Sequence, residues 1–466
     1  MIDPHIFRAY DIRGRAFEQI DEAACRLIGQ AFGTELRRKY SIDRPRVVTG
    51  RDARTHSQAF EKAAAEGLMA AGCAVSSIGQ TPSPVSYFTI CRDAFDGSVQ
   101  ITASHNAAHD NGLKLQIREA EAFSGKDLQR LRVMIERKDF LTGKGSFECI
   151  DGIGPYIHDL STKFAAAGKG LKIVVDNGNG VTGPVYNTVL KNVGCTLEEL
   201  YSEPDGTFPH HLADPSKHTT LTLLQERVRQ SKADLGIAFD GDGDRVGFAD
   251  ETGAIRSADE ILLLLAADLL SRHPGSSIIY TISMSGILET EIRRLDGTPV
   301  MCRVGHSFVE HEMRRHSSLL GGEQSGHFFC FENYFGFDDA LRATLGVLSV
   351  FSAARHTAKK NLRFSGLFSA FPKVYLAPER RPHCPDSEKT RIVGLITDHF
   401  AKHYPVNTLD GVRIDFGDGA WAGIRQSNTS PCLSVCIEAR SPEKLRDVEK
   451  IVLDELANYP EIVMEK

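Results

Sequence analysis

The sequence predicts an α/β chain: three consecutive α/β domains on mixed sheets, then a smaller α+β C-terminal domain, around a central cleft. Its 466 residues make three to four compact units at about 150 residues each. Short β-branched runs alternate with longer helical patterns, and this cycle restarts twice, as expected of βαβ units around largely parallel strands. After Tyr375 the alternation gives way to a helix, three short strand candidates and a final helix.

The first cycle is Arg46-Val-Val-Thr-Gly50 as a strand, Ser57 to Ala71 as a helix, Ala74 to Ile78 as a strand, and a further strand over Gly97 to Ile101. The second opens at Leu171-Lys-Ile-Val-Val-Asp-Asn-Gly and turns into a helix from about Pro184 to Val193. The third opens near Ser276-Ser-Ile-Ile-Tyr-Thr-Ile. Helices over Glu388 to His403 and Pro442 to Asn458 frame the last domain. Gly, Ser, Thr and charged residues gather near 150, 252 and 366, which gives domains over 1–150, 151–252, 253–366 and 367–466.

Composition removes several classes of function. Lys and Arg number 55 against 61 Asp and Glu, a net charge of −6, so the basic excess that a nucleic-acid backbone selects is missing. The longest apolar stretch, Ile261 to Leu270, is interrupted by Asp268 and falls short of the ~20 residues that span a bilayer. Met1-Ile-Asp-Pro-His has no basic region leading into an apolar run, so a cytoplasmic location is expected. The ten cysteines are scattered without a CxxC pair and read as small buried apolar residues in a reducing compartment.

Four loops carry chemistry. Asp240-Gly-Asp-Gly-Asp-Arg245 follows the apolar strand Leu235-Gly-Ile-Ala-Phe; three carboxylates at alternate positions can turn hard oxygens toward one divalent cation, with Mg²⁺ the natural choice. An EF-hand loop is one competing reading, since Glu251 falls at its twelfth position, and a solvated acidic turn with no metal is another. Arg245 stands where that loop needs Gly, and a strand rather than a helix leads in. Thr102-Ala-Ser-His-Asn106 ends the strand at Ile101, and strand-end loops are where α/β sheets hold ligands, so Ser104 is placed as a nucleophile; a plain capped turn is the alternative. Leu320-Gly-Gly-Glu-Gln-Ser-Gly-His327 combines a carboxylate, an amide, a hydroxyl and an imidazole, a set suited to vicinal sugar hydroxyls, or taken alone a β-turn with a capped helix. Arg425-Gln-Ser-Asn-Thr-Ser-Pro431 offers an arginine fork, hydroxyls and backbone N–H groups to a phosphate dianion, or else is a polar hairpin tip. Together the four predict metal-assisted phosphoryl transfer on a sugar phosphate.

These residues resemble the α-D-phosphohexomutase family, in its bacterial phosphomannomutase/phosphoglucomutase branch. The resemblance runs along the chain through Phe7-Arg-Ala-Tyr-Asp-Ile-Arg-Gly14, Gly50-Arg-Asp-Ala-Arg54, the serine loop, Asp176-Asn-Gly-Asn-Gly180 and the other three loops, in the family's order. It implies reversible conversion of a hexose 6-phosphate, of mannose and/or glucose, into the 1-phosphate through a phosphoserine and a hexose 1,6-bisphosphate, which also serves as activator. By this resemblance Ser104 carries the phosphoryl group, and Asp240, Asp242 and Asp244 hold one Mg²⁺ with an oxygen of that serine. Tyr10, Arg13, His105, Lys114, Arg245 and His327 surround the transferred group, with Lys114 and His327 moving protons. His306, Glu323 and Ser325 contact the sugar, and Arg425, Ser427, Asn428 and Thr429 grip the phosphate that does not react. Expected partners are small sugar phosphates, without nucleic acid or membrane, for a monomer or weak homodimer. A fourth domain that loosens while the bisphosphate turns around is a further expectation.

The chain departs from the family pattern at four places. Ala107 stands where proline is frequent and Ala103 where glycine is common, changing loop rigidity. Ser283 replaces a lysine, and Gln324 matches the form associated with phosphoglucosamine mutases. Three alternatives therefore stand beside the mutase: a phosphoglucosamine mutase, a Mg²⁺-dependent phosphatase, and a sugar-phosphate-binding paralogue without turnover.

Overall fold

The computed structural model describes residues 2–357, 362–427 and 430–464. The chain divides into two compact units, 1–265 with 325–368, and 266–324 with 369–466. The predicted 253–366 segment is shared between them.

The first unit holds two sheets. Six strands run in the order Ile12–Arg15, Asp110–Ile117, Gly97–Ile101, Arg46–Arg51, Ala74–Gln80, Ser146–Cys149. The middle pairs are parallel, as short β-branched strands linked by helices dictate, while Asp110–Ile117 runs antiparallel to both its neighbours. That reversal aims Lys114 and the strand end of Ile101 at one region. Helices Glu22–Tyr40 and Ser57–Ala70 pack with backbones in contact. A Cβ on Gly67 would sit 1.9 Å from the Arg26 carbonyl oxygen and one on Gly29 2.2 Å from that of Ala64. The Asp21 carboxylate caps the first of these helices by accepting from Ala24 N at 2.8 Å. Phe32, Phe60, Leu68, Val99 and Leu113 lie in one core with no exposed surface.

The second sheet runs in the order Ile255–Arg256, Val246–Asp250, Leu235–Phe239, Lys172–Asp176, Thr196–Leu200, parallel about Lys172–Asp176 and antiparallel beyond Leu235–Phe239. The helix Ala340–Thr357 belongs to the same unit, and Ser365 donates to the Glu251 carboxylate through N (3.0 Å) and Oγ (2.6 Å).

In the second unit Thr298–Cys302, Ser277–Thr281 and Leu320–Gly322 form parallel pairs. A five-stranded antiparallel sheet, Tyr375–Leu376, Leu433–Ala439, Trp421–Gln426, Val412–Asp415, Val406–Asn407, buries one face under Lys389–Phe400 and Pro442–Leu456. Arg413 stacks over Trp421 at 3.5 Å and donates to the carbonyls of Ile282 (2.5 Å) and Met284 (2.7 Å); Gly286 N and Trp421 Nε1 both donate to Glu438 Oε1 at 3.0 Å. These bonds fasten the antiparallel sheet to the parallel strands.

Eight cysteines are buried and all ten are free; against expectation Cys91 is half-buried and Cys149 exposed. Among the described residues no helix is long and apolar enough to cross a membrane.

Candidate active site

The first unit gathers the serine and acidic loops. Ser104 follows the strand Gly97–Ile101; its N–H donates to Thr102 Oγ1 at 2.8 Å, and its backbone is left-handed with φ 51°, an unusual conformation for a residue with a Cβ. Its hydroxyl is buried, donates to Asp240 Oδ2 at 2.6 Å and lies 3.1 Å from His105 Nδ1. Arg13 reaches the same loop, donating to Asn106 Oδ1 at 3.0 Å and Ala103 O at 3.3 Å while anchored on Asp11.

The acidic loop is held from beneath. Gly241 and Gly243 offer their carbonyls to Val181 N at 3.1 Å and Tyr186 Oη at 2.6 Å, and Gly243 takes φ 79°. A Cβ on Gly241 would meet the Ser104 carbonyl oxygen at 2.6 Å, so glycine there lets the two loops touch. Asp240 Oδ1 accepts from Gly243 N (2.9 Å) and Arg245 N (3.1 Å). Asp242 Oδ2 accepts from Ser83 Oγ (2.6 Å) and Lys114 Nζ (2.7 Å), and Lys114 also pairs with Asp244.

One oxygen of each of Asp240, Asp242 and Asp244 falls within 4.8 Å of the others, all three residues being buried. Burial, then repulsion from Asp244 and Asp242, pushes the Asp240 carboxyl well up. Burial acts the same way on Asp244, but Lys114 and His327 overcome it and hold its carboxyl well down. Burial works against the Lys114 charge, and Asp242 and Asp244 reverse that, leaving its ammonium well above the usual range. Asp242 Oδ1 is buried without a hydrogen-bond partner among the described residues. Three crowded carboxylates, an unsatisfied buried oxygen and an adjoining hydroxyl are a donor set that fits a hard divalent cation.

His327 Nε2 faces a donor and acceptors: Arg245 Nε at 3.2 Å, Asp244 Oδ1 at 3.4 Å and Asp338 Oδ2 at 3.8 Å, while Nδ1 lies 3.0 Å from Ser325 Oγ. The neutral ring can accept from Arg245, and the protonated ring can pair with the carboxylates. Dense packing, then Arg245 and Arg13, pushes the His105 imidazole well down. Asp338 was not a sequence candidate. It is buried, and burial followed by Asp244 pushes its carboxyl up to about 7. Tyr10 lies in the turn before the strand Ile12–Arg15.

The second unit carries the remaining described candidates. His306 opens the helix His306–His316, and Gly305 N before it donates to buried Glu323 Oε1 at 2.7 Å. Arg425 lies on Trp421–Gln426 with its Nε buried and unpartnered among the described residues. Ser427 Oγ accepts from Ser430 N at 3.2 Å, and buried Lys389 Nζ donates to the carbonyls of Ser427 (2.9 Å) and Ser430 (2.5 Å). Lys389 also escaped the sequence reading. Asn428 and Thr429 lie outside the described residues. Ser283 lines a hollow with Asp410, Arg413, Arg425 and Cys436, and the Arg413 guanidinium, bonded to the carbonyls on either side of Ser283, stands near the position of the missing lysine.

Within mixed sheets, strands with a parallel neighbour end in a serine loop and a carboxylate loop, an arrangement suited to phosphoryl transfer. The chain matches the four phosphoglucomutase/phosphomannomutase family models in order: alpha/beta/alpha domain I over 4–142, domain II over 154–253, domain III over 257–366 and the C-terminal domain over 383–455. It is 37% identical over 452 residues to a phosphomannomutase/phosphoglucomutase of Pseudomonas aeruginosa, covering 97% of this chain and 95% of that protein. It is 31% identical over 461 residues to a phosphoglucomutase of Neisseria meningitidis, covering 97% of each. A crystal structure of a phosphoglucomutase/phosphomannomutase family protein from Burkholderia thailandensis superposes with a TM-score of 0.91 at 33% identity, covering all of both chains. The chain belongs to the α-D-phosphohexomutase family.

Proposed function

We propose that this hexose phosphate mutase, an isomerase by its family, carries its phosphoryl group on Ser104 and interconverts hexose 6-phosphate and hexose 1-phosphate of mannose and/or glucose. The observation that carries the reading is the 2.6 Å bond from Ser104 Oγ to Asp240 inside the buried carboxylate cluster. A hydroxyl so placed has an acceptor for its proton and acidic oxygens beside its product. A phosphoserine brings about −1.5 to −2 charge next to those carboxylates, so a dication belongs with them.

Asp240, Asp242 and Asp244 would hold one Mg²⁺ with an oxygen of the serine. When bound, the ion neutralises charge on the transferred group. Lys114 and His327 move the proton of the sugar oxygen, Lys114 as a buried ammonium and His327 through Nε2, which faces both a guanidinium and a carboxylate. Arg13 and Arg245 hold the transferred group, and His105 stays neutral beside Ser104. Tyr10, His306, Glu323 and Ser325 contact the sugar. Arg425 and Ser427, with Asn428 and Thr429, grip the other phosphate, the buried Nε of Arg425 being a donor without a partner among the described residues. The hexose 1,6-bisphosphate forms when the serine gives up its group and turns around before returning the other. The protein acts on small sugar phosphates as a cytoplasmic monomer or weak homodimer, without nucleic acid or membrane.

Intact-mass measurement tests the carrier: about +80 Da after treatment with the bisphosphate, absent in Ser104→Ala, which loses turnover. Mannose 1-phosphate, glucose 1-phosphate and glucosamine 1-phosphate, each with a trace of bisphosphate, divide the mutase specificities. Free phosphate release would mark a phosphatase, and binding without turnover a paralogue.

A further inference from the structure

The Gly50-Arg-Asp-Ala-Arg54 motif has no part in the chemistry above, yet its last residue makes five side-chain hydrogen bonds beside the serine. Arg54 is 2% exposed. Its guanidinium has five N–H donors, and all five are used. Nε donates to Asp52 Oδ2 at 3.0 Å. Nη1 donates to Ala107 O at 2.5 Å and Asp110 O at 3.0 Å, and Nη2 to Ser104 O at 3.0 Å and Asn106 O at 2.7 Å.

Asp52 is fixed in turn by Ser57 Oγ at 2.6 Å and by Arg54 N at 3.0 Å, so the carboxylate balances the guanidinium charge within a closed pair. Phe208 stacks over the guanidinium at 5.1 Å, and a Cβ on Gly206 would meet Ala53 O at 2.2 Å, so the 206–208 segment closes over this anchor. The loop that Arg54 gathers holds Ser104 at φ 51°, a conformation that an unrestrained serine leaves readily. Ala107 gives the loop no covalent restraint of its own, where proline would fix one dihedral.

We infer that Arg54 is a positioning residue for the reaction: by bonding four carbonyls of residues 104 to 110 it holds Ser104 in its left-handed turn with Oγ on Asp240. Its charge is matched by Asp52, so it acts through loop geometry and not through the field at the transferred group. Lysine, with three donors in no fixed fork, cannot reproduce the five bonds. The inference rests on the reading of Ser104 as phosphoryl carrier.

The test uses the full chain as Arg54→Lys and Arg54→Ala, assayed on glucose 1-phosphate with glucose 1,6-bisphosphate and Mg²⁺. Arg54→Lys should lower kcat about 10²-fold, the cost of displacing a reacting group by about 1 Å, while KM stays within about threefold. Its melting transition should remain cooperative. Millimolar guanidinium ion should restore Arg54→Ala by about tenfold or more, filling the vacated fork, whereas urea should not. A Lys variant with kcat within threefold of wild type overturns the inference, as does a KM that rises as steeply as kcat falls. Loss of cooperative melting in both variants also overturns it, since Arg54 would then serve folding alone. Wild-type protein that neither gains about +80 Da nor turns over sinks the reading of Ser104 instead, so the two failures are told apart.

Discussion

Lys114 sets the state of the acidic loop before any ion arrives. Its ammonium lies 2.7 Å from Asp242 Oδ2 and pairs with Asp244, both fully desolvated, so it is the cation that keeps mutually repelling carboxylates together. Replacing it by methionine leaves a buried charge uncompensated, which costs about 3–5 kcal/mol. The same change removes a positive charge beside the carboxylate cluster that could hold a cation, so a dication should bind more tightly. Lys114→Met is therefore expected to melt lower than wild type without metal and to gain more in Tm on adding Mg²⁺, and, if Lys114 moves the sugar proton as proposed, to lose at least about 10²-fold in kcat. Melting curves with and without Mg²⁺ check this, and a smaller metal-induced rise in the variant would be the contrary result. Residues of this kind were legible in the sequence where a short loop supplies them together, as at 240, 242 and 244. Asp338 was not legible: no local spacing ties it to His327, and only the fold brings its carboxylate within 3.8 Å of the ring. Arg54 was legible as part of a motif but not as a donor to four carbonyls, since those acceptors lie 50 to 56 residues further on.

At the level of elements, hydrophobic periodicity located the four helices it named to within about three residues at each end, of the thirteen among the described residues. Ser57 to Ala71 is observed as Ser57–Ala70, and Pro442 to Asn458 as Pro442–Leu456. Periodicity says that a strand exists, not which way it runs, so the reversal of Asp110–Ile117 that delivers Lys114 emerged only from the sheet. The Asp176-Asn-Gly-Asn-Gly180 turn shows a second limit. Its glycines announce a turn, but its work is to support a neighbour, with Val181 N on the Gly241 carbonyl and Asp176 Oδ2 3.1 Å from His211 Nε2. His211 Nδ1 faces Leu212 O at 2.8 Å, so both ring nitrogens meet acceptors and the charged form is favoured. The bond to Asp176 outweighs burial and raises the imidazole above its usual value. A histidine with a raised folded pKa contributes stability that is complete below its unfolded value, about 6.5, and is lost as pH rises through the folded value. The difference in Tm between wild type and His211→Gln should therefore be largest near pH 6 and shrink toward pH 8.5. A difference that is flat or grows with pH would show that this pair does not hold the 201–217 loop to the strand end.

On the scale of the molecule, the chain clusters into two compact bodies, each drawn from two separate stretches of chain, and which stretches share a body could not be read from punctuation in the chain. Gly, Ser and charged residues mark where the backbone leaves an element, whereas the membership of a body is decided by which side chains bury one another. Within the second unit the decisive contact is Arg413, whose guanidinium sits 3.5 Å over the Trp421 ring and holds the carbonyls on either side of Ser283. It thereby fixes the strand that carries Arg425 relative to the segment that carries Ser283, and both residues line one hollow with it. If the phosphate cradle and the sugar-reading residues of this unit work as one body, their spacing is what the substrate is measured against. Arg413→Ala removes charge-assisted hydrogen bonds worth about 1.5–3 kcal/mol each and a cation–π contact, loosening that spacing while leaving the serine and its carboxylates untouched. The expected outcome is a KM for the hexose phosphate raised about tenfold or more with kcat changed less than about threefold, and unchanged phosphoryl occupancy of Ser104 by intact mass. Loosening of the fourth domain as the slow step of turnover predicts instead a kcat above wild type, because a variant already released from Ile282 and Met284 would let the bisphosphate turn around sooner. Steady-state kinetics on one variant thus separates a rigid second unit from a flexible one, and a kcat above wild type at unchanged KM would decide for flexibility.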